Sequence, residues 1–211
     1  MTNTLSAPDH DRIVAAIRAA EADTAGEIYC VVARSSDPYF YPAAFFVTLG
    51  IVLVGVILAF LLEFWWVSLR LPVFWSAVVL ALAAAWLVLL LLPGLRIHFV
   101  PRRLRYQRAH DNALKQFLAR NVHITTARTG VLIFVSLAER YAEVVADAGI
   151  NAEVEQESWN GIVADLVAHA RDDRLTDGFV AAVAAVGVLL ARHFPRGEAD
   201  DNELDDHLVE I

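Results

Sequence analysis

The sequence predicts an α/β protein: a small mixed β-sheet covered by helices, with a two-helix transmembrane hairpin inserted into it. Three observations lead there. The chain reads in the order helix, strand, apolar pair, helix, strand, strand, helix, helix. The apolar pair, Ala43–Leu62 and Pro72–Leu92, holds no charged residue. The strand that precedes the pair has no neighbour on its own side of it, and a lone strand is not stable, so its partner has to come from beyond the insertion.

The first element is an amphipathic helix over Asp9–Ala22, with Ile13, Val14 and Ile17 at helical spacing and Asp9 as its expected cap after Pro8. A turn follows at Asp23–Gly26. Glu27–Ala33 (EIYCVVA) is then a short, β-branched, apolar run that suits a buried strand. Its Cys30 is the only cysteine, so the chain has neither an intrachain disulfide nor a cysteine-based zinc cluster, and a buried apolar role fits it.

Each apolar run is long enough to cross a hydrocarbon core at helical rise, and neither has a polar face; Thr48 and Ser76 are their only hydroxyls. Nine residues, Glu63–Leu71, join them. Trp65, Trp66 and Trp75 lie at or near the loop-side ends, where an amphipathic ring favours the headgroup layer. Arginine sets the expected orientation. Arg96, Arg102, Arg103, Arg105 and Arg108 follow the second run, whereas the loop carries Arg70 opposed by Glu63. The positive-inside rule then places both termini and the folded domain in the cytoplasm, on the inner (plasma) membrane, with the loop outside. The opening MTNTLSAPDHDR is polar, so the first run is expected to act as an uncleaved insertion signal.

Beyond the hairpin, Arg102–Arg120 is helical, with Leu104, Ala113, Leu114, Phe117 and Leu118 as its expected apolar stripe. Thr129–Leu137 (TGVLIFVSL) reads as a central strand, Ala138–Arg140 as a tight turn, and Tyr141–Ala146 as the hairpin partner. Glu157–Asp172 is helical, with Trp159, Ile162, Val163, Leu166 and Val167 facing inward. Asp172–Gly178 is expected to break it, and Phe179–Phe194 to form the last helix before Pro195. Residues 1–40 and 101–195 therefore form one discontinuous domain, 43–62 and 72–92 the hairpin, and 196–211 a tail. That tail carries seven carboxylates between Glu198 and Glu210 with no Lys or Arg. Solvated disorder suits such a run, while Leu204, Leu208 and Ile211 also allow a short amphipathic helix that docks. The formal net charge of −8 argues against a nucleic-acid partner.

Several motifs in order carry a resemblance. They are Thr24-x-Gly26-Glu27-Ile28; His123-x-Thr-x-x-Arg128-Thr129-Gly130 running into the strand that ends at Ser136; and Asp147-x-Gly149-Ile150 after the next strand. A Trp-bearing helix, Asp177-Gly178-x-x-x-Ala182 and a closing Asn202–Asp205 stretch complete the set. This pattern resembles the TPM domain family, whose namesakes are a thylakoid lumen protein, a photosystem repair factor and an animal receptor-associated membrane protein; the closing stretch is similar to a bacterial membrane branch. The resemblance implies an α/β/α sandwich. It also implies cation binding through loop carboxylates in some members, and acid phosphatase activity as proposed for plant members.

Catalytic signatures do not support an enzyme. The sequence has no P-loop, no G-x-S-x-G, no H-E-x-x-H and no D-x-D-x-[TV] nucleophile. A cation site is chemically simpler, because a hard ion such as Ca or Mg wants several oxygen ligands. Asp147 after a strand, Asp177 at a helix start and Glu27 at the head of the first strand are the candidate ligands. Helix capping at Asp177 and a strand-ending turn at Asp147 are the simpler account of those two positions. Arg128 beside Thr129 is a candidate anion or partner contact, or a structural salt bridge. Arg102, Arg103, Arg105 and Arg108 suit anionic lipid headgroups, at about 1 kcal/mol each near a charged surface. The expected function is a membrane-anchored, non-enzymatic accessory for assembly or quality control of membrane protein complexes, with the bilayer and another membrane protein as partners. A weak, divalent-cation-dependent phosphatase is the alternative.

Overall fold

The computed structural model describes residues 5–67, 70–120, 122, 128–196 and 208–211. Two compact units divide the chain: Met1–Ser36 with Tyr106–Ile211, and Asp37–Arg105 between them.

In the first unit, α1 (Ala7–Glu21) leads into β1 (Glu27–Ala33). The helix starts earlier than its apolar spacing suggests. Ser6, not Asp9, is the N-cap, and the two side chains close a capping box around the first turn, with Pro8 just inside it. Ser6 lowers the Asp9 carboxyl below its ordinary range by hydrogen bonding to it. After the second unit come α4 (Arg102–Ala119), β2 (Gly130–Ser136) and β3 (Tyr141–Ala146). They are followed by the single turn α5 (Ala148–Asn151), then α6 (Gln156–Arg171), α7 (Leu175–His193) and β4 (Leu208–Glu210).

The sheet order is β3-β2-β1-β4. β1 pairs with β2 in parallel along its whole length, Glu27 to Gly130 through Ala33 to Ser136. β2 and β3 form the antiparallel hairpin, turning through Arg140 at φ 53°. So the strand before the insertion finds its partner after it, and both inner strands are buried at every residue, as their near-continuous apolar sequences require.

Alternation along the strands splits the core in two. Ile28, Cys30 and Val32 with Val131, Ile133 and Val135 face α1, α6 and α7. Tyr29, Val31 and Ala33 with Leu132 and Phe134 face Ala109, Ala113 and Phe117 of α4. Leu114 and Leu118, expected in the α4 stripe, are exposed instead, because the alanines at positions 109 and 113 set the buried face. Burial pushes the Cys30 thiol up from its ordinary pKa.

Two expectations are corrected here. Asp172–Gly178 is not one long break: α7 begins at Leu175, so Asp177 and Gly178 lie in its first turn. Gly178 is needed there because a Cβ would sit 2.8 Å from the Cβ of His169. The tail is neither wholly solvated nor helical where it is described. Leu208–Glu210 is a strand parallel to β1, because backbone pairing at the open sheet edge outweighs a weak helical spacing. Leu204 lies outside the described residues.

In the second unit, α2 (Phe40–Phe64) and α3 (Leu71–Leu91) lie side by side, followed by a 3₁₀ segment at Pro93–Phe99. The Trp86 indole N–H donates to Thr48 Oγ1 at 3.0 Å, and the Phe40 and Trp86 rings meet edge to face. Tyr39, Ala43, Leu89 and Val100 bury one another at the end that includes the two chain boundaries of the unit. Arg96 closes the helix α3 terminus. Its Nε–H donates to Leu89 O at 2.8 Å, two further N–H groups reach Leu90 O and Pro38 O, and its guanidinium stacks over Phe40. These bonds satisfy carbonyls that a helix end leaves without partners.

Candidate functional site

At the amino ends of β1 and β2, the first-strand motif and the Arg128-Thr129-Gly130 motif meet. Glu27 N–H donates to Thr129 O and Asp147 N–H to Gly130 O, so Glu27 and Asp147 flank Thr129–Gly130 from the two sides. Strand alternation puts Glu27 and Gly130 on the α4 side of the sheet. Gly130 is dictated by a close approach: a Cβ there would lie 2.0 Å from Val122 O.

The Thr24-x-Gly26-Glu27 motif is largely architectural. Thr24 Oγ1 donates to Phe194 O at 2.7 Å, and Ala25 N–H donates to the same carbonyl, so the turn before β1 satisfies the end of α7. Gly26 leaves room for Leu190, whose Cδ1 would be 2.7 Å from an added Cβ. Thr129 is buried and its hydroxyl donates to Ala25 O at 2.9 Å. Arg128 beside it is exposed, with a left-handed backbone at φ 54°. His123 and its neighbours in the same motif lie outside the described residues.

Asp147 stands apart from these groups. It caps α5, with Oδ1 accepting from Ala148 N–H at 2.6 Å. The residue is 9% exposed, and Oδ2 is buried with no hydrogen-bond partner among the described residues. A buried carboxylate oxygen left without a donor costs on the order of 1–3 kcal/mol, and the described residues supply no positive or hydrogen-bonding group to this one.

Asp177 is not brought to Asp147 and Glu27. The far end of its helix, Phe194, meets the amino edge of the sheet, so Asp177 lies about 25 Å away along the helix at 1.5 Å per residue. Its Oδ1 accepts from Arg12 at 2.7 Å, both side chains being partly exposed. Among the described residues, no group of three or more His, Cys, Asp or Glu side chains is placed to hold a metal ion.

The carboxyl end of the sheet holds a polar network that spacing gives no hint of. Glu139, 2% exposed, accepts from Ser36 N–H at 3.0 Å and Ser35 Oγ at 3.3 Å, and closely from Ser136 Oγ; the Ser36 and Ser136 hydroxyls also meet at 2.9 Å. These partners lie up to 104 positions from Glu139. The network fixes the exit from β1 to the β2–β3 turn. On the outer face, His110 Nδ1 and the Tyr141 hydroxyl both donate to Glu143 at 2.9 Å. Burial first, and the Glu143 charge second, push the Tyr141 phenol up from its ordinary pKa.

Of the four lipid-facing candidates, Arg102, Arg103 and Arg108 are exposed on α4, while Arg105 is half-buried.

Comparison with known proteins agrees with the motif order. Residues 94–189 match the TPM domain. The NMR structure of BA42 protein from the psychrophilic bacterium Bizionia argentinensis aligns with a TM-score of 0.62 at 18% identity, covering 100% of this chain and 97% of that one. At that identity the likeness concerns the fold. No curated protein matches the chain.

Proposed function

We propose, from the match of residues 94–189 to the TPM domain, that this chain is a membrane-anchored, non-enzymatic accessory that assists assembly or quality control of membrane protein complexes. The observation that carries the anchoring is the outer surface of α2 and α3. Both are long and apolar enough to cross a bilayer, and their most apolar 18-residue windows are 0% and 6% buried. Phe45, Val54, Phe60, Val79 and Leu80 are all more than half exposed. Apolar surface on that scale is stable against lipid and costly against water. Trp65, Trp66 and Trp75, each more than half exposed, suit the headgroup layer at the loop end. Arg96 and the exposed Arg102, Arg103 and Arg108 suit anionic headgroups at the other, on the cytoplasmic side of the inner membrane. Reporters fused at Ile211 and inserted between Glu63 and Arg70 test this topology: cytoplasmic activity at the first and external activity at the second are expected. A cytoplasmic loop reporter contradicts it.

A second reading has one specific observation in its favour, the Asp147 Oδ2 that no described residue pairs with. A divalent cation held by Asp147, with Glu27 on the same sheet edge, would supply the missing positive group; Asp177 is too distant to share that ion. Bound there, such an ion would supply Lewis-acid assistance to phosphate-ester hydrolysis. Asp147→Asn should then abolish Ca- or Mg-dependent stabilisation against heat. Unchanged stabilisation in that variant sinks the cation site.

A further inference from the structure

Resting on the reading of this chain as an accessory to other membrane proteins, we propose that the outer edge of β1 is a strand-acceptor site. It is filled here by the chain's own Leu208–Ile211, and it accepts in their place an extended partner segment running parallel to β1 with a leucine-sized anchor.

The two edges of β1 are unequal. Toward β2 all seven residues pair, and toward β4, among the described residues, Cys30, Val31 and Val32 do. The resident strand is held lightly. Its backbone ties beyond the ladder are Ile211 N–H to Val32 O at 2.9 Å and Arg34 N–H to Ile211 O at 2.8 Å. One outside side chain fixes its start, His10 Nε2–H donating to Leu208 O at 2.9 Å. Of its side chains only Leu208 is buried, at 4% exposure, in the same core cluster as Ile13, Ile17 and Cys30; Glu210 and Ile211 are exposed. With three ladder residues and one buried anchor among the described residues, such a segment opens at lower cost than strands buried on both sides.

The edge also ends in a stop. Ile28 N–H, the next donor past the resident strand, is taken by Glu21 Oε1 at 2.7 Å. A side-chain carboxylate on a strand's open edge is a common guard against unwanted pairing. Strand and guard together leave a slot with a defined length, direction and anchor pocket. Those are the requirements for recognition by strand addition, in which main-chain bonds give affinity and alternate side-chain pockets give specificity. The resident sequence defines the ligand: extended, parallel, with the leucine entering between α1 and β1.

Cys30, the sole cysteine, is the register partner of Leu208, which allows the slot to be locked. The full chain in lipid nanodiscs carrying Leu208→Cys should form an intrachain disulfide on oxidation, because paired strands hold Cα atoms within bonding range. The probe is a labelled peptide copying residues 202–211, read by fluorescence anisotropy. Binding should appear in the reduced protein and vanish in the oxidised one. In the full chain, Leu208→Asp should bind the probe about tenfold more tightly than the unaltered chain if the resident strand occupies the slot nine-tenths of the time. A probe with its own leucine replaced by aspartate should bind neither.

Equal binding by locked and unlocked protein overturns the proposal, as does failure of Leu208→Asp to bind the probe while it remains in the membrane. Disulfides that form between copies overturn it in favour of strand exchange within a dimer. Loss of the chain from membranes, with probe binding intact, sinks the accessory reading and leaves the slot standing.

Discussion

Among the described residues, three helices are long and apolar enough to cross a bilayer, and they fall into two kinds. α7 turns Phe179, Val183, Val186 and Leu190 into the core beneath the sheet, and half of its most apolar window is buried. α2 and α3 turn comparable side chains outward. Length and composition are shared, and the surroundings differ. In α7 the small residues decide: Gly187 lies against Ala20 of α1, where a Cβ would be 2.7 Å from the alanine's, so two helices come close enough to exclude water. In α2, Gly50 meets nothing within 4 Å. An apolar helix is a core element when neighbours are cut to fit it, and a membrane element when lipid has to do so.

Opposite responses to the same kind of substitution would sharpen that contrast most. Val183→Asp in α7 buries an unpaired charge and should unfold the sheet domain while leaving the chain in the membrane. Val54→Asp in α2 should leave the sheet intact and lower membrane insertion, by about 3 kcal/mol at a helix centre. Hydrogen exchange on the sheet amides and the membrane-bound fraction read the two effects separately. The same effect from both substitutions breaks the contrast.

Next in size is Glu139. Glu139→Ala strips the acceptor from Ser36 N–H and two hydroxyls, and should cost the sheet domain about 1–3 kcal/mol in denaturant titration. Glu139→Gln should recover part of it. A smaller effect is expected at Arg96, whose loss exposes the carbonyls at the end of α3. Arg96→Ala should cost about 1 kcal/mol, and Arg96→Lys should rescue it poorly, since an ammonium does not span the same acceptors. Thermal unfolding in detergent checks both.

The smallest effect is alkaline. Tyr141 has a raised pKa when folded, so the unfolded chain loses that proton first. Stability is fully present below the ordinary value of 10.0 and falls as pH rises above it. Tyr141→Phe should flatten the part of the slope above about pH 10 that this phenol supplies. An unchanged slope removes Tyr141 as its cause.

Legibility in the sequence followed the same division. β1 and β2 are readable because EIYCVVA and GVLIFVS are apolar throughout, and such runs need a sheet covered on both faces. The insertion between them hides nothing, since a strand without a local partner announces a distant one. β4 was not readable. Its three residues are too few for a period, and the Leu204, Leu208, Ile211 spacing mimics a helix. The start of α7 is hidden because Thr176-Asp177-Gly178 has turn chemistry, whereas Gly178 answers to packing against α6.

At the candidate site, Asp147 was visible as a strand-ending acid. The missing partner of its second oxygen was not, because that depends on which donors the fold brings near. Glu139 gives no signal at all, since Ser35 and Ser36, which join Ser136 in pairing with it, arrive from the far side of the insertion. Sequence position marks Arg96 for topology, and its additional role at the end of α3 depends on carbonyls that the fold presents to it.

Alkaline carbonate extraction of membranes from cells producing the full chain, scored beside Leu53→Arg, bears most directly on the outward-facing helices. Retention of the unaltered chain in the pellet, with partial release of the variant, is the expected result. Release of the unaltered chain into the supernatant contradicts it.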